Sequence, residues 1–127
     1  MIEVLFLEGD RATRDALTVA LERFGCFSVD VVREPEFIPQ AREKAYRVAF
    51  VDDSLGAEGI TNLLRLLKDL GSRAEVILVA GDRTLESLSR SKLNLNVSTF
   101  VRKPVQAVEV YRCLARLRDK FGEGGGR

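Results

Sequence analysis

Two carboxylates and one ammonium are the side chains of this sequence best placed to do chemistry. Glu8, Asp52 and Lys103 each stand at or just beyond the end of a short apolar run. Two carboxylates packed together resist joint ionisation unless a cation lies between them. Lys103 can supply that charge, and so can a hard divalent ion such as Mg2+, which prefers carboxylate and carbonyl oxygens. Much other chemistry is excluded. The chain of 127 residues has no histidine, which removes Ser-His-Asp and Cys-His nucleophile systems, His-liganded metals and the commonest neutral-pH base. Its two cysteines, Cys26 and Cys113, cannot build a four-cysteine zinc site and read as buried free thiols. A net charge of +1 gives no global pull toward nucleic acid or anionic lipid.

The elements that must position these groups alternate along the chain. Val4-Leu5-Phe6-Leu7, Val29-Asp30-Val31-Val32, Val48-Ala49-Phe50-Val51, Val76-Ile77-Leu78-Val79 and the weaker Thr99-Phe100-Val101 read as five strands. Three of them are apolar throughout, the pattern of strands buried on both faces. Helical spacing separates them. Leu17, Leu21 and Phe24 share a face near residues 11–24. Leu63, Leu66, Leu67 and Leu70 do so near 59–70, and Val110, Leu114, Leu117 and Phe121 near 105–121. Weaker helices are expected over 36–45, with Pro35 in the first turn, and over 84–93, where the polar composition predicts loose packing. Asn94 and Asn96 fit a loop, and Asp10 fits an N-cap for the helix starting at Arg11. Five alternations with short connections predict an α/β fold: a doubly wound, five-stranded parallel sheet, (βα)5, flavodoxin-like, in one domain over residues 1–121. Residues 122–127 read as a flexible Gly-rich tail or linker. In such sheets function gathers outside the carboxyl ends of the strands. Those ends carry Glu8-Gly9-Asp10, Asp52-Asp53-Ser54, Ala80-Gly81-Asp82 and Arg102-Lys103-Pro104. Glu8, Asp52 and Lys103 are therefore expected to share one pocket, with Asp53 and Ser54 as turn or capping residues.

This set, in this order, resembles the receiver domain of two-component response regulators over about residues 2–121. Phe100, three residues before Lys103, and Glu58-Gly59 opening the third helix add to the likeness. The resemblance implies that Asp52 is the candidate phosphoacceptor, a carboxylate nucleophile. It pairs Lys103 with Asp52 and the phosphoryl oxygen, and sets Glu8 and position 9 on Mg2+. It makes position 80 a hydroxyl switch that moves with the aromatic at 100. The departures are specific. Gly9 carries no carboxylate and Ala80 no hydroxyl, and the loop from Asp52 to Gly59 is one residue short and lacks the usual proline. Metal binding by Glu8, Asp52 and Asp10 should be weak, so the implied cofactor is none or weakly held Mg2+. The reading is a degenerate pseudo-receiver in a phosphorelay-type signalling system. It is a protein-binding module and not an enzyme, with phosphorylation at Asp52 weak or absent. An alternative is a receiver that is phosphorylated on Asp52 with Mg2+.

The partners implied are a histidine kinase or a downstream signalling protein. The face for them carries Arg90, Phe100, Val108, Tyr111 and Arg112, and the last helix could also serve a homodimer. No membrane contact and no direct nucleic-acid contact are expected from this domain. No apolar run approaches the roughly 20 residues of a membrane span, and no basic region precedes an apolar one at the start, so the expected compartment is cytoplasmic. A second alternative is a Toprim-like, Mg2+-dependent nucleic-acid enzyme using Glu8 and Asp52. Its later motif wants Asp-x-Asp, where this chain has Asp52-Asp53-Ser54, and it leaves Lys103-Pro104 unexplained. A nucleotide- or flavin-binding module is disfavoured because no Gly-rich phosphate loop follows any strand.

Overall fold

The computed structural model describes residues 1–90 and 97–122. Five strands, β1 (Ile2–Leu7), β2 (Phe27–Val32), β3 (Val48–Asp52), β4 (Glu75–Ala80) and β5 (Val97–Arg102), alternate with five helices. These are α1 (Arg11–Phe24), α2 (Glu34–Glu43), α3 (Gly56–Asp69), α4 (Asp82–Arg90) and α5 (Ala107–Phe121). The strands form one parallel sheet in the order β2-β1-β3-β4-β5, as the alternation predicts. Strand order reverses between β1 and β3, so the carboxyl ends of β1, β3, β4 and β5 surround one crevice.

Alternation within each strand divides the core in two. Val4 and Phe6 of β1, Phe50 of β3, Ile77 and Val79 of β4 and Val101 of β5 face α1 and α5, whose Leu17, Leu21, Val110, Leu114 and Leu117 complete that layer. Leu5 and Leu7, Ala49 and Val51, and Leu78 and Ala80 face the other way. They pack under Phe37 of α2, Leu63, Leu64 and Leu67 of α3, and Leu88 of α4.

Helix α1 coincides with its expected span, because its end signals are in the sequence. The Asp10 carboxylate accepts the Thr13 amide at 2.8 Å and the Thr13 hydroxyl at 2.9 Å, and Gly25 closes the helix at φ 70°. Helix α2 starts two residues earlier than expected: Glu36 accepts the Arg33 amide at 3.2 Å, and Pro35 sits in the first turn. The stripe on α3 differs from the expected one. Ile60, Leu63, Leu64 and Leu67 are buried, while Leu66 is 48% exposed and Leu70 half-buried. Starting the helix at Gly56 and adding Ile60 shifts the buried arc by about a residue, since each step turns about 100°. Helix α4 buries only Leu88, in line with its polar composition. The expected continuation to residue 93, Asn94 and Asn96, and the tail from Glu123 lie outside the described residues. Both cysteines are free. Cys113 is buried and its thiol is pushed up to about 11 by desolvation, whereas Cys26 is only half-buried, contrary to expectation.

Leu114 is wholly inaccessible at the centre of the α1/α5 layer. Leu114→Ala should destabilise the fold by about 2–5 kcal/mol through lost transfer energy and a residual cavity. Urea unfolding monitored by circular dichroism checks this, and an unchanged midpoint would contradict the assigned core.

Candidate functional site

At the carboxyl edge of the sheet, the Lys103 ammonium is the centre of an ion cluster. Its Nζ lies 2.9 Å from Oδ1 of Asp52 and 2.7 Å from Oδ1 of Asp53, and it also donates to Oδ2 of Asp10. Each carboxylate comes from a different place: the loop after β1, the last residue of β3, and the 3-10 turn that follows it (Asp53–Leu55). Lys103 is fixed to the sheet by its backbone amide, which donates to the Ala80 carbonyl at 3.0 Å, and its bond to Pro104 is cis.

Asp52 is the deepest member, with no solvent-accessible surface. Its Oδ1 accepts the Ser54 amide at 2.9 Å as well as the lysine proton. Its Oδ2 is buried and has no hydrogen-bond partner among the described residues. Asp53 bridges two elements. Its Oδ1 meets Lys103, and its Oδ2 accepts the Gly81 amide at 2.9 Å where α4 begins.

For Asp10, Asp53 and Lys103 burial opposes the charge, and mutual pairing outweighs it. Desolvation raises the pKa of Asp10, but the Lys103 and Thr13 hydrogen bonds bring it down to about 2. Asp53 is likewise lowered, with desolvation overcome by Lys103, the Gly81 amide and the Thr84 hydroxyl. Desolvation would lower Lys103, yet the three carboxylates hold it above the usual lysine value.

Asp52 and Lys103 thus meet as the sequence implies. Glu8 does not join them: its Oε1 accepts from Arg14 Nη1 at 2.7 Å, both side chains about one-third exposed. The place beside Lys103 expected for Glu8 is taken by Asp10, which also keeps its capping bonds. Asp53, expected as a turn residue, is a full member of the cluster. The doubled Asp after β3 was the available signal, but a strand-end turn residue is usually satisfied locally, and only the tertiary approach of Lys103 and Gly81 recruits it. Gly9 lies against Asp52: a Cβ there would fall 2.0 Å from Asp52 Cγ. Ala80 is fully buried.

The ligand set expected for weakly held Mg2+ (Glu8, Asp52 and Asp10) is not assembled. Glu8 is turned to Arg14, and an ammonium occupies the centre of the carboxylates where a metal would have to sit. Among the described residues, no group of three or more metal-binding side chains is arranged to hold an ion. The residues do not fit a resident divalent cation.

On the face expected for partners, Phe100 is 48% and Val108 64% exposed, and Arg112 is exposed. Arg90 is exposed and paired with Glu86 of its own helix. Tyr111 is instead half-buried, stacked on Phe24 of α1 with ring centroids 5.6 Å apart.

No family model matches this sequence, and no match was found among curated proteins. Solved structures do match. A response regulator from Thermotoga maritima aligns over 92% of this chain and 97% of its own, with 21% identity and a TM-score of 0.71. The receiver domain of a response regulator from Geobacillus stearothermophilus aligns over 97% of both chains, with 20% identity and a TM-score of 0.73. A chemotaxis response regulator of Vibrio cholerae aligns over 92% of this chain and 98% of its own, with 16% identity and a TM-score of 0.72. The fold of this chain is that of response-regulator receiver domains. No helix among the described residues is long and apolar enough to cross a membrane.

The cluster has a pH signature. Groups whose folded pKa is depressed contribute stability that is complete above their unfolded value and lost as pH falls through the folded one. Loss of the Asp10 contribution should therefore cost the wild type stability as pH falls from about 4 to about 2, and Asp53, also lowered, adds a loss of the same sign on acidification. Lys103, raised in the fold, contributes below its unfolded value and loses that contribution only at strongly alkaline pH. Lys103→Met leaves three carboxylates without their cation and should cost about 3 kcal/mol at neutral pH. That gap should narrow on acidification, as protonation removes the repulsion. Urea midpoints for both proteins from pH 7 down to pH 3 check this, and a gap independent of pH would contradict the cluster.

Proposed function

We propose that this chain is a receiver-type signalling module that works through protein contacts, with phosphorylation at Asp52 weak or absent. The observation that supports this most is the complete burial of Asp52 within the Lys103 cluster. A carboxylate nucleophile must meet phosphorus in line at about 3–3.5 Å. One oxygen of Asp52 is already bonded to Ser54 and Lys103, and the other is enclosed. Gly9 adds no metal ligand, Ala80 offers no hydroxyl to a phosphoryl oxygen, and Glu8 is held by Arg14. Internal anions thus neutralise the lysine that the receiver resemblance assigns to the phosphoryl group.

The partner on this reading is a histidine kinase or a downstream signalling protein, in a cytoplasmic setting. The exposed Phe100 and Val108, together with the exposed Arg90 and Arg112, are its contact surface. Tyr111, committed to Phe24, supports that face from within. A homodimer through α5 would use the exposed Val108 and Arg112 of that helix. The Toprim-like reading has no support from geometry, since Glu8 and Asp52 are bonded to different cations.

Intact-mass measurement after incubation with Mg2+ and acetyl phosphate tests the reading, with Asp52→Asn in parallel. We expect no phosphoryl adduct on the folded wild type. An adduct on the wild type that is missing from Asp52→Asn would show a working receiver and overturn the proposal.

A further inference from the structure

Gly9 lies directly against the buried Asp52. A Cβ at this position would lie 2.0 Å from Cγ, 2.4 Å from Cβ and 2.4 Å from Oδ1 of Asp52. Carbon atoms in contact sit about 3.5–4.0 Å apart, so any side chain here requires the two segments to separate by roughly 1.5 Å. Rotating the carboxylate cannot supply that space, because the Cβ of Asp52 is itself too close. The loop after β1 thus lies directly on the end of β3, and it can do so only without a side chain at residue 9. The next residue in that loop is Asp10, whose carboxylate reaches Lys103 while capping α1.

We propose that Gly9 is a positioning residue that seals the site: by letting the loop after β1 close over Asp52, it buries that carboxylate and delivers Asp10 to Lys103. The inference rests on the receiver-type reading and deepens it. The missing carboxylate at position 9 and the inaccessibility of Asp52 become one steric fact. Adding an acid at position 9 would not simply supply a metal ligand, because the new side chain must first lift the loop from Asp52. Even a methyl group there should open the pocket.

Carboxyl footprinting with a water-soluble carbodiimide and glycine ethyl ester, read by peptide mass spectrometry, reports access to Asp52 directly. In the wild type Asp52 should stay unlabelled while the part-exposed Asp10 is labelled. In Gly9→Ala, Asp52 should become labelled while Glu75, whose side chain is only 8% exposed beneath Arg116, stays protected. A folded Gly9→Ala protein with Asp52 still unlabelled would overturn the proposal.

A double-mutant cycle covers the case in which Gly9→Ala folds poorly. Gly9→Ala should lower Tm by roughly 4–12 °C in the wild type. It should have little effect in an Asp52→Gly background, where the obstructing side chain is gone. Equal losses in both backgrounds would show that Gly9 acts independently of Asp52, and would overturn the seal. The acetyl phosphate result decides a separate question: an adduct on the wild type would refute the functional reading, while the cycle would still decide the role of Gly9.

Discussion

The attraction of three carboxylates to one ammonium governs the functional edge of this molecule. Lys103 stands after β5, Asp52 ends β3, Asp53 opens the next turn and Asp10 follows β1. Elements far apart in sequence are thereby tied at one point. Through Asp53 and the Gly81 amide, the start of α4 is tied to the same point. A charge as deep as that of Asp52 persists only if it is paired, since removing one member of a buried ion pair leaves its partner uncompensated. Three negative charges around one positive charge also make the cluster asymmetric. It depends on Lys103 more than on any single carboxylate.

Packing sets who may join this cluster. Gly9 removes the side chain that would keep the β1 loop away from Asp52. Asp10 then faces Lys103 without giving up its bonds to Thr13, so one residue both starts α1 and closes the site. Arg14, one turn into the same helix, takes Glu8 away. The arrangement consumes its own polar groups. Asp53 already occupies the lysine and a backbone amide. The contact surface proposed around Phe100 and Val108 is compatible with such a pocket, because it needs no vacant lysine.

Much of the fold was legible from local pattern. Apolar tetrads bounded by polar ends mark β1, β3 and β4 because strands buried on both faces tolerate little else. Asp10, Thr13 and Gly25 mark the ends of α1 through bonds made within a few residues. The buried stripe on α3 lies one step from the one its spacing predicts, since Leu63, Leu64, Leu66 and Leu67 offer overlapping apolar faces. Which face turns inward depends on Phe37, Leu5 and Leu78 across the layer. Tyr111 fits either stripe of α5 by spacing, and the stacking ring of Phe24 decides.

By itself, the sequence determined the order of the elements, the parallel sheet that such an order allows, and the meeting of Asp52 with Lys103, because strand ends converge wherever a doubly wound sheet reverses. The tertiary structure alone decided that Asp10 and Asp53, and not Glu8, complete the cluster. Side-chain reach and loop height are set by contacts between segments remote in sequence: Arg14 on Glu8, Gly81 on Asp53, and the bare backbone of Gly9 on Asp52. No spacing rule encodes such contacts, since each depends on a distance of a few ångströms that exists only once the sheet is assembled.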